Sequence, residues 1–103
     1  MLSKLTMKLE CEERLSYQWG PLFHGALMEL LDSEYVDELH RSQLHPYAQH
    51  IEFREGEWYW VVNCLNEETA TRIIRDTLLG INAVHIKSKD ICVPIVGKEY
   101  REL

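Results

Sequence analysis

His40, His45 and His50 stand five residues apart in a segment that also holds Arg41 and Tyr47, the one chemically dense stretch of the sequence. Zinc ligation would need a fuller set of donors: no cysteine pair lies near, and Glu38 or Glu52 would have to complete the group, so no metal site is expected. The plain alternative is a run of solvated loop histidines. His24 sits beside Gly25 and next to an apolar helical stripe, where a hydrogen-bonded structural histidine is expected rather than a catalyst. Cys11, Cys64 and Cys92 are odd in number, lack CxxC spacing and carry no nucleophile signature. They fall at strand positions expected to be buried, and they fit a reducing, cytoplasmic setting. The carboxylate pairs Glu12-Glu13 and Glu67-Glu68 are explained by solvation and by the positive end of a helix dipole. Lys87 and Lys89, and Arg72 with Arg75, are the basic groupings, expected as ordinary surface charge unless the chain contacts RNA.

The elements that must position these residues are read from hydrophobic period. Leu5, Met7, Leu9 and Cys11 alternate with Thr6, Lys8 and Glu10, the pattern of a half-buried strand. Pro21 opens a helix whose apolar positions are Leu22, Phe23, Ala26, Leu27, Leu30 and Leu31. Ser33 is the expected N-cap of a second short helix from Glu34 to His40, and the chain breaks at Leu44-His45-Pro46. Ile51 and Phe53 mark strand two, Glu55-Gly56-Glu57 a turn, and Trp58 to Leu65 strand three, together a hairpin. Asn66 caps a helix running to Leu79, with Leu65 and Ala70 spaced for a hydrophobic staple and Gly80 as the stop. Val84 and Ile86 give strand four, and Ile91 to Val96 an added strand that Pro94 assigns to an edge. The order β-α-β-β-α-β predicts an α+β, ferredoxin-like sandwich, one antiparallel sheet with two helices on one face, formed by residues 1–103 as a single domain.

Strand three departs from the expected alternation. Trp58, Trp60, Val62 and Cys64 on one side and Tyr59, Val61 and Leu65 on the other make both faces apolar. Either the open sheet face packs on another domain, chain or second copy through Trp58, Tyr59 and Trp60, or its aromatics stack on bases. The lack of an accompanying basic and aromatic RNA-binding motif favours protein packing.

Composition limits the rest. With 103 residues there is room for one core, and with 17 acidic against 11 basic side chains the net charge of −6 opposes strong nonspecific binding to nucleic acid. Apolar runs are far shorter than the roughly 20 residues of a membrane span, and no signal peptide is read at the N-terminus, so neither secretion nor a membrane is expected.

Taken in order, Trp19-Gly20-Pro21-Leu22-Phe23-His24-Gly25-Ala26-Leu27-Met28, Glu38-Leu39-His40, Pro46-Tyr47-Ala48-Gln49 and Gly56-Glu57-Trp58-Tyr59-Trp60 resemble the N-terminal domain of the CRISPR-associated endoribonucleases that cut repeat RNA, the Cas six family. The resemblance covers about residues 5 to 96. It implies a ferredoxin-like fold and a metal-independent cut without cofactor, in which a ribose 2′-hydroxyl attacks the adjacent phosphate. His40 matches the family's catalytic histidine, a side chain type suited to proton exchange near neutral pH. The family tyrosine of the first helix is matched by Met28, no lysine lies between His40 and Lys87, and Arg41 or Tyr47 are the substitutes at hand. Family members are about twice as long and carry a second domain with much of the RNA-binding surface. The resemblance therefore implies CRISPR repeat RNA as partner and a second domain or chain. The alternative is a noncatalytic interaction module that dimerises or docks in a ribonucleoprotein.

Overall fold

The computed structural model describes residues 2–11, 15–43 and 45–103. The Glu12-Glu13 pair and Leu44 lie outside the described residues. Strand β1 (Ser3–Leu9) turns Ser3, Leu5, Met7 and Leu9 inward. Helix α1 (Gly20–Leu30) has its proline in the first turn, where no N–H is needed, and buries Phe23, Ala26 and Leu27. In helix α2 (Ser33–Arg41) the N-cap position is held by Asp32, without a side-chain capping bond, and Ser33 is the first helical residue. The helix buries Tyr35 and Leu39.

Strand β2 (Tyr47–Arg54) begins four residues before Ile51, the first residue that the sequence pattern marks in it, and pairs along its length with β3 (Glu57–Cys64). The turn between them holds Glu55 at φ 52° and Gly56 at φ 82°, the two left-handed residues that a tight hairpin requires. Asn66 caps the next helix as its sequence predicts: its side-chain oxygen accepts from the Thr69 N–H and hydroxyl, both at 2.9 Å. Helix α3 (Glu67–Thr69) then widens into a π-helical segment, Ala70–Arg75, where the Asp76 N–H reaches the Thr71 carbonyl at 2.8 Å. The wider turn brings Ala70, Ile74 and Leu78, each four apart, onto the core. No staple forms, because Leu65 is 55% exposed while Ala70 is buried.

β4 (Ala83–Ile86) and β5 (Ile91–Glu102) complete a five-stranded antiparallel sheet in the order β2-β3-β1-β5-β4. Removing β4 leaves the ferredoxin-like order. The last strand is thus twice as long as its apolar run and lies inside the sheet, and the short β4 takes the edge. Pro94 is tolerated there because it faces Ala83 at the end of the short β4 ladder, and its carbonyl still accepts from the Glu10 N–H at 2.9 Å. The helices and the side chains of Leu5, Met7, Trp60 and Val62 enclose the core. No helix among the described residues is long and apolar enough to cross a membrane.

Candidate functional site

Sheet register carries Tyr47 and Gln49, the first inward-facing residues of β2, against α1 residues 19 to 29 positions away in sequence. Tyr47 Oη lies 2.8 Å from His24 Nε2, and the two rings are parallel with centroids 5.9 Å apart. The phenol also contacts Met28 Sδ at 3.8 Å. Burial raises the Tyr47 pKa, so the group stays a neutral phenol with a proton to donate. Met28 is the position that the sequence resemblance matches to a tyrosine; a phenol does stand beside it, delivered by β2 instead of α1. Next to this pair the Gln49 amide is fixed at both ends. Its oxygen accepts from the Trp60 indole at 2.8 Å and its nitrogen donates to the Gly20 carbonyl at 3.1 Å. An open groove of about 530 Å³ runs between the start of α1 and β2, bordered by Tyr17, Pro21, His24, Gln49 and Ile51.

The other sequence candidates lie on α2, in the loop before β2 and on β2. His40 and Arg41 are exposed on the last turn of α2, and His45 is exposed in the loop before β2 with φ 43°, a left-handed conformation unusual for a residue preceding proline. His50 points from β2 to the open sheet face, where its Nε2 is 3.4 Å from Glu52. The three histidines do not converge, and no group of three or more His, Cys, Asp or Glu among the described residues is arranged to hold a metal ion.

The aromatic strand is oriented differently from its sequence reading. Trp60 is fully buried under α1, edge-on to Phe23 at 5.3 Å, so it cannot touch a partner. Trp58 also faces the helix side, between Tyr17 and Phe53 at 5.3 and 5.1 Å. Of the three proposed interface residues only Tyr59 lies on the open face, beneath the Arg54 guanidinium at 4.4 Å. Val61 beside it is buried. The rest of that face is polar, because β1, β2 and β5 turn Lys4, Thr6, Lys8, Arg54 and Arg101 to it. Sequence reasoning missed this cationic set although the alternation of β1 exposes part of it. Lys87 and Lys89 lie in a helical turn after β4, Lys87 3.5 Å from Glu29 and Lys89 5.8 Å from the Trp19 ring. Arg72 covers the Tyr35 ring at 4.2 Å, and Arg75 binds Glu67 and Glu102. Cys64 is buried, which pushes its thiol up to about 11, whereas Cys11 is half-buried beyond the end of β1 and Cys92 is exposed. The burial expected of all three holds for Cys64 alone.

No protein-family model matches the chain. It is 42% identical over 64 residues to the CRISPR-associated endoribonuclease Cas6 of Streptococcus thermophilus, an alignment that spans 62% of this chain and 26% of that protein. It is 33% identical over 78 residues to Cas6 of Mycobacterium tuberculosis, spanning 71% and 25%. This chain is a Cas6-family domain. Its fold agrees with a solved Cas6 product complex at a TM-score of 0.68 and 21% identity, covering 95% of this chain and 39% of that one. A histidine-to-alanine mutant of the same Cas6 gives 0.62 at 19% identity, covering 95% and 37%. The chain spans about a quarter of the length of the curated Cas6 relatives it matches.

Proposed function

We propose that residues 1–103 form one domain equivalent to the N-terminal half of a Cas6 endoribonuclease, and that it binds CRISPR repeat RNA and contributes His40 to its cleavage. The observation that carries this reading is the 42% identity to a Cas6 endoribonuclease. In the reaction the ribose 2′-hydroxyl attacks the adjacent phosphorus and loses its proton. The bond to the 5′-oxygen breaks, leaving a 2′,3′-cyclic phosphate, and the departing oxygen takes up a proton to become a hydroxyl. His40 exchanges one of these protons, and no metal enters. Tyr47, with its phenol beside Met28 and His24, is a second protic side chain, and Arg41 next to His40 in the chain is a cation for the phosphate. Lys4, Lys8, Arg54 and Arg101 share the open sheet face and make a larger cationic group than Lys87 and Lys89 to neutralise phosphates. A second RNA-binding half, from the same gene product or another chain, completes the site in a reducing cytoplasmic setting.

The test is a single-turnover gel assay with labelled repeat RNA in EDTA, using the chain with and without the second half. We expect a discrete cut that survives EDTA and slows about a hundredfold in His40→Ala, the usual contribution of a general acid or base. A rate within about threefold of the parent would remove His40 from the reaction. The second reading, a noncatalytic module that docks in a ribonucleoprotein, is favoured by strand β3, which sets the aromatic Tyr59 on the open sheet face. Repeat RNA bound but never cut, with the second half present, would select it.

A further inference from the structure

The groove between α1 and β2 has a feature that cleavage by His40 does not use. Tyr17 and Phe53 are the two large aromatic side chains left most open to solvent, 65% and 50% exposed, and they flank Trp58 on the same helix-side surface. A flat ring surface of this kind is unfavourable in water and offers a face for another ring. Tyr17 forms one wall of the groove, Pro21 and Ile51 add apolar surface, and Gln49 and His24 supply polar edges. The Gln49 amide is pre-oriented. Trp60 can only donate, so it fixes the amide oxygen, and the Gly20 carbonyl takes one N–H, leaving one N–H and one oxygen lone pair uncommitted. A rigid amide with an adjacent free donor and acceptor is suited to the edge of a nucleobase, as Gln is elsewhere in base recognition. Among the described residues no lysine or arginine borders the groove, which suits a ligand held by stacking and edge contacts.

We propose that this groove receives one unpaired base of a single-stranded RNA segment, stacked on Tyr17 and read at its edge by the Gln49 amide. The proposal deepens the RNA-binding reading above and rests on it. Unpaired bases are the part of RNA that proteins stack on aromatic rings and read by hydrogen bonds.

The test is a titration of the purified full chain with RNA hexanucleotides of adenylate, uridylate or cytidylate, and with an abasic hexamer of equal charge, followed by tryptophan fluorescence. Trp58, at 5.3 Å from Tyr17, is the reporter, and Trp58→Phe should abolish the signal. Base-bearing hexamers should bind and the abasic one should not. Tyr17→Ala should weaken binding about tenfold, in line with the loss of one stacked base, and Tyr17→Phe should restore it. Gln49→Glu, which keeps the oxygen that Trp60 bonds, should change the order of preference among bases. Equal binding of the abasic hexamer, or an unchanged affinity in Tyr17→Ala, would overturn the proposal. Hexamers that do not bind while repeat RNA is still bound and cut would overturn the groove alone. Hexamers that bind as expected, with repeat RNA that is never cut, would overturn the cleavage reading alone.

Discussion

Trp60→Ala separates two roles that strand β3 was open to from sequence. The indole is 0% exposed, packs edge-on against Phe23 and donates to Gln49 at 2.8 Å. A buried tryptophan removes roughly 150–250 Å² from water, which at about 25 cal/mol per Å² is roughly 4–6 kcal/mol, and truncations of this kind cost about 3–5 kcal/mol in practice. A domain of this size has on the order of 5–15 kcal/mol of stability. The variant should therefore lose roughly a fifth or more of its stability, and its urea midpoint should fall by roughly 2 M, taking a slope of about 2 kcal/mol per molar. Trp60→Phe keeps a ring against Phe23 and loses the bond to Gln49, so it should cost about 1–2 kcal/mol. Tyr59→Ala, on the open face, loses the Arg54 contact and should cost under about 1 kcal/mol. Far-UV circular dichroism in urea measures all three, with sedimentation velocity beside it. If Trp60→Ala melted within about 1 kcal/mol of the parent while self-association or partner binding weakened, the placement of Trp60 in the core would be refuted.

Two further outcomes follow from polar groups. Tyr35 is 3% exposed and its hydroxyl is buried without a hydrogen-bond partner, and burial with the nearby Glu68 charge pushes its pKa up to about 12, so Tyr35→Phe should raise stability by about 1 kcal/mol; a loss of stability would mean the hydroxyl is satisfied in solution. Glu102 is held below the usual carboxylate range by its bonds to Tyr100 and Arg75. Its folded pKa lies below its unfolded one, so its stabilisation is present above about pH 4.5 and is lost as pH falls through the folded value. Glu102→Gln should flatten the acid limb of a urea-midpoint profile below about pH 4.5, and parallel profiles from pH 5 to 2 would show that the pair is inert in solution.

What was legible in the sequence is what local period encodes. β1, α1 and the Asn66 cap follow from side-chain alternation, a proline in the first turn and one capping amide, each decided within a few residues. β5 was not legible beyond Val96, because Lys98, Tyr100 and Glu102 face the helix side as polar groups. They are accommodated there by distant partners: Lys98 reaches the Leu79 and Ile81 carbonyls, and Arg75 bonds Glu102 at 2.5 Å. Strand β3 misled for the opposite reason. Val61 and Tyr59 are apolar residues on a polar face, and only neighbouring strands reveal that long charged side chains cover them. The His24-Tyr47 pair was likewise invisible, since two residues 23 apart are joined by a sheet register that no local pattern states.

The same register alters what the net charge implies about nucleic acid. A total of −6 describes the chain, but ligands meet faces. On the open sheet face β1, β2, β3 and β5 set Lys4, Lys8, Arg54 and Arg101 among Glu52, Glu57 and Glu99, a mixed face rather than an acidic one. Glu34, Asp37 and Glu38 lie on α2 instead, and Glu67 and Glu68 on α3. Two of the cations are already engaged, Arg101 with Glu99 at 2.7 Å and Lys8 with Glu57 at 3.8 Å. Both pairs are exposed and worth little, so a phosphate competes with them at small cost. If RNA binds as proposed, this face would meet a polyanion less unfavourably than the total charge implies, weakly and with few released counterions, and a base stacked in the groove on the opposite side would add attraction that salt does not screen. A single-stranded segment drawing on both sides of β2 would have to cross this edge strand, where the sheet is open to a ligand.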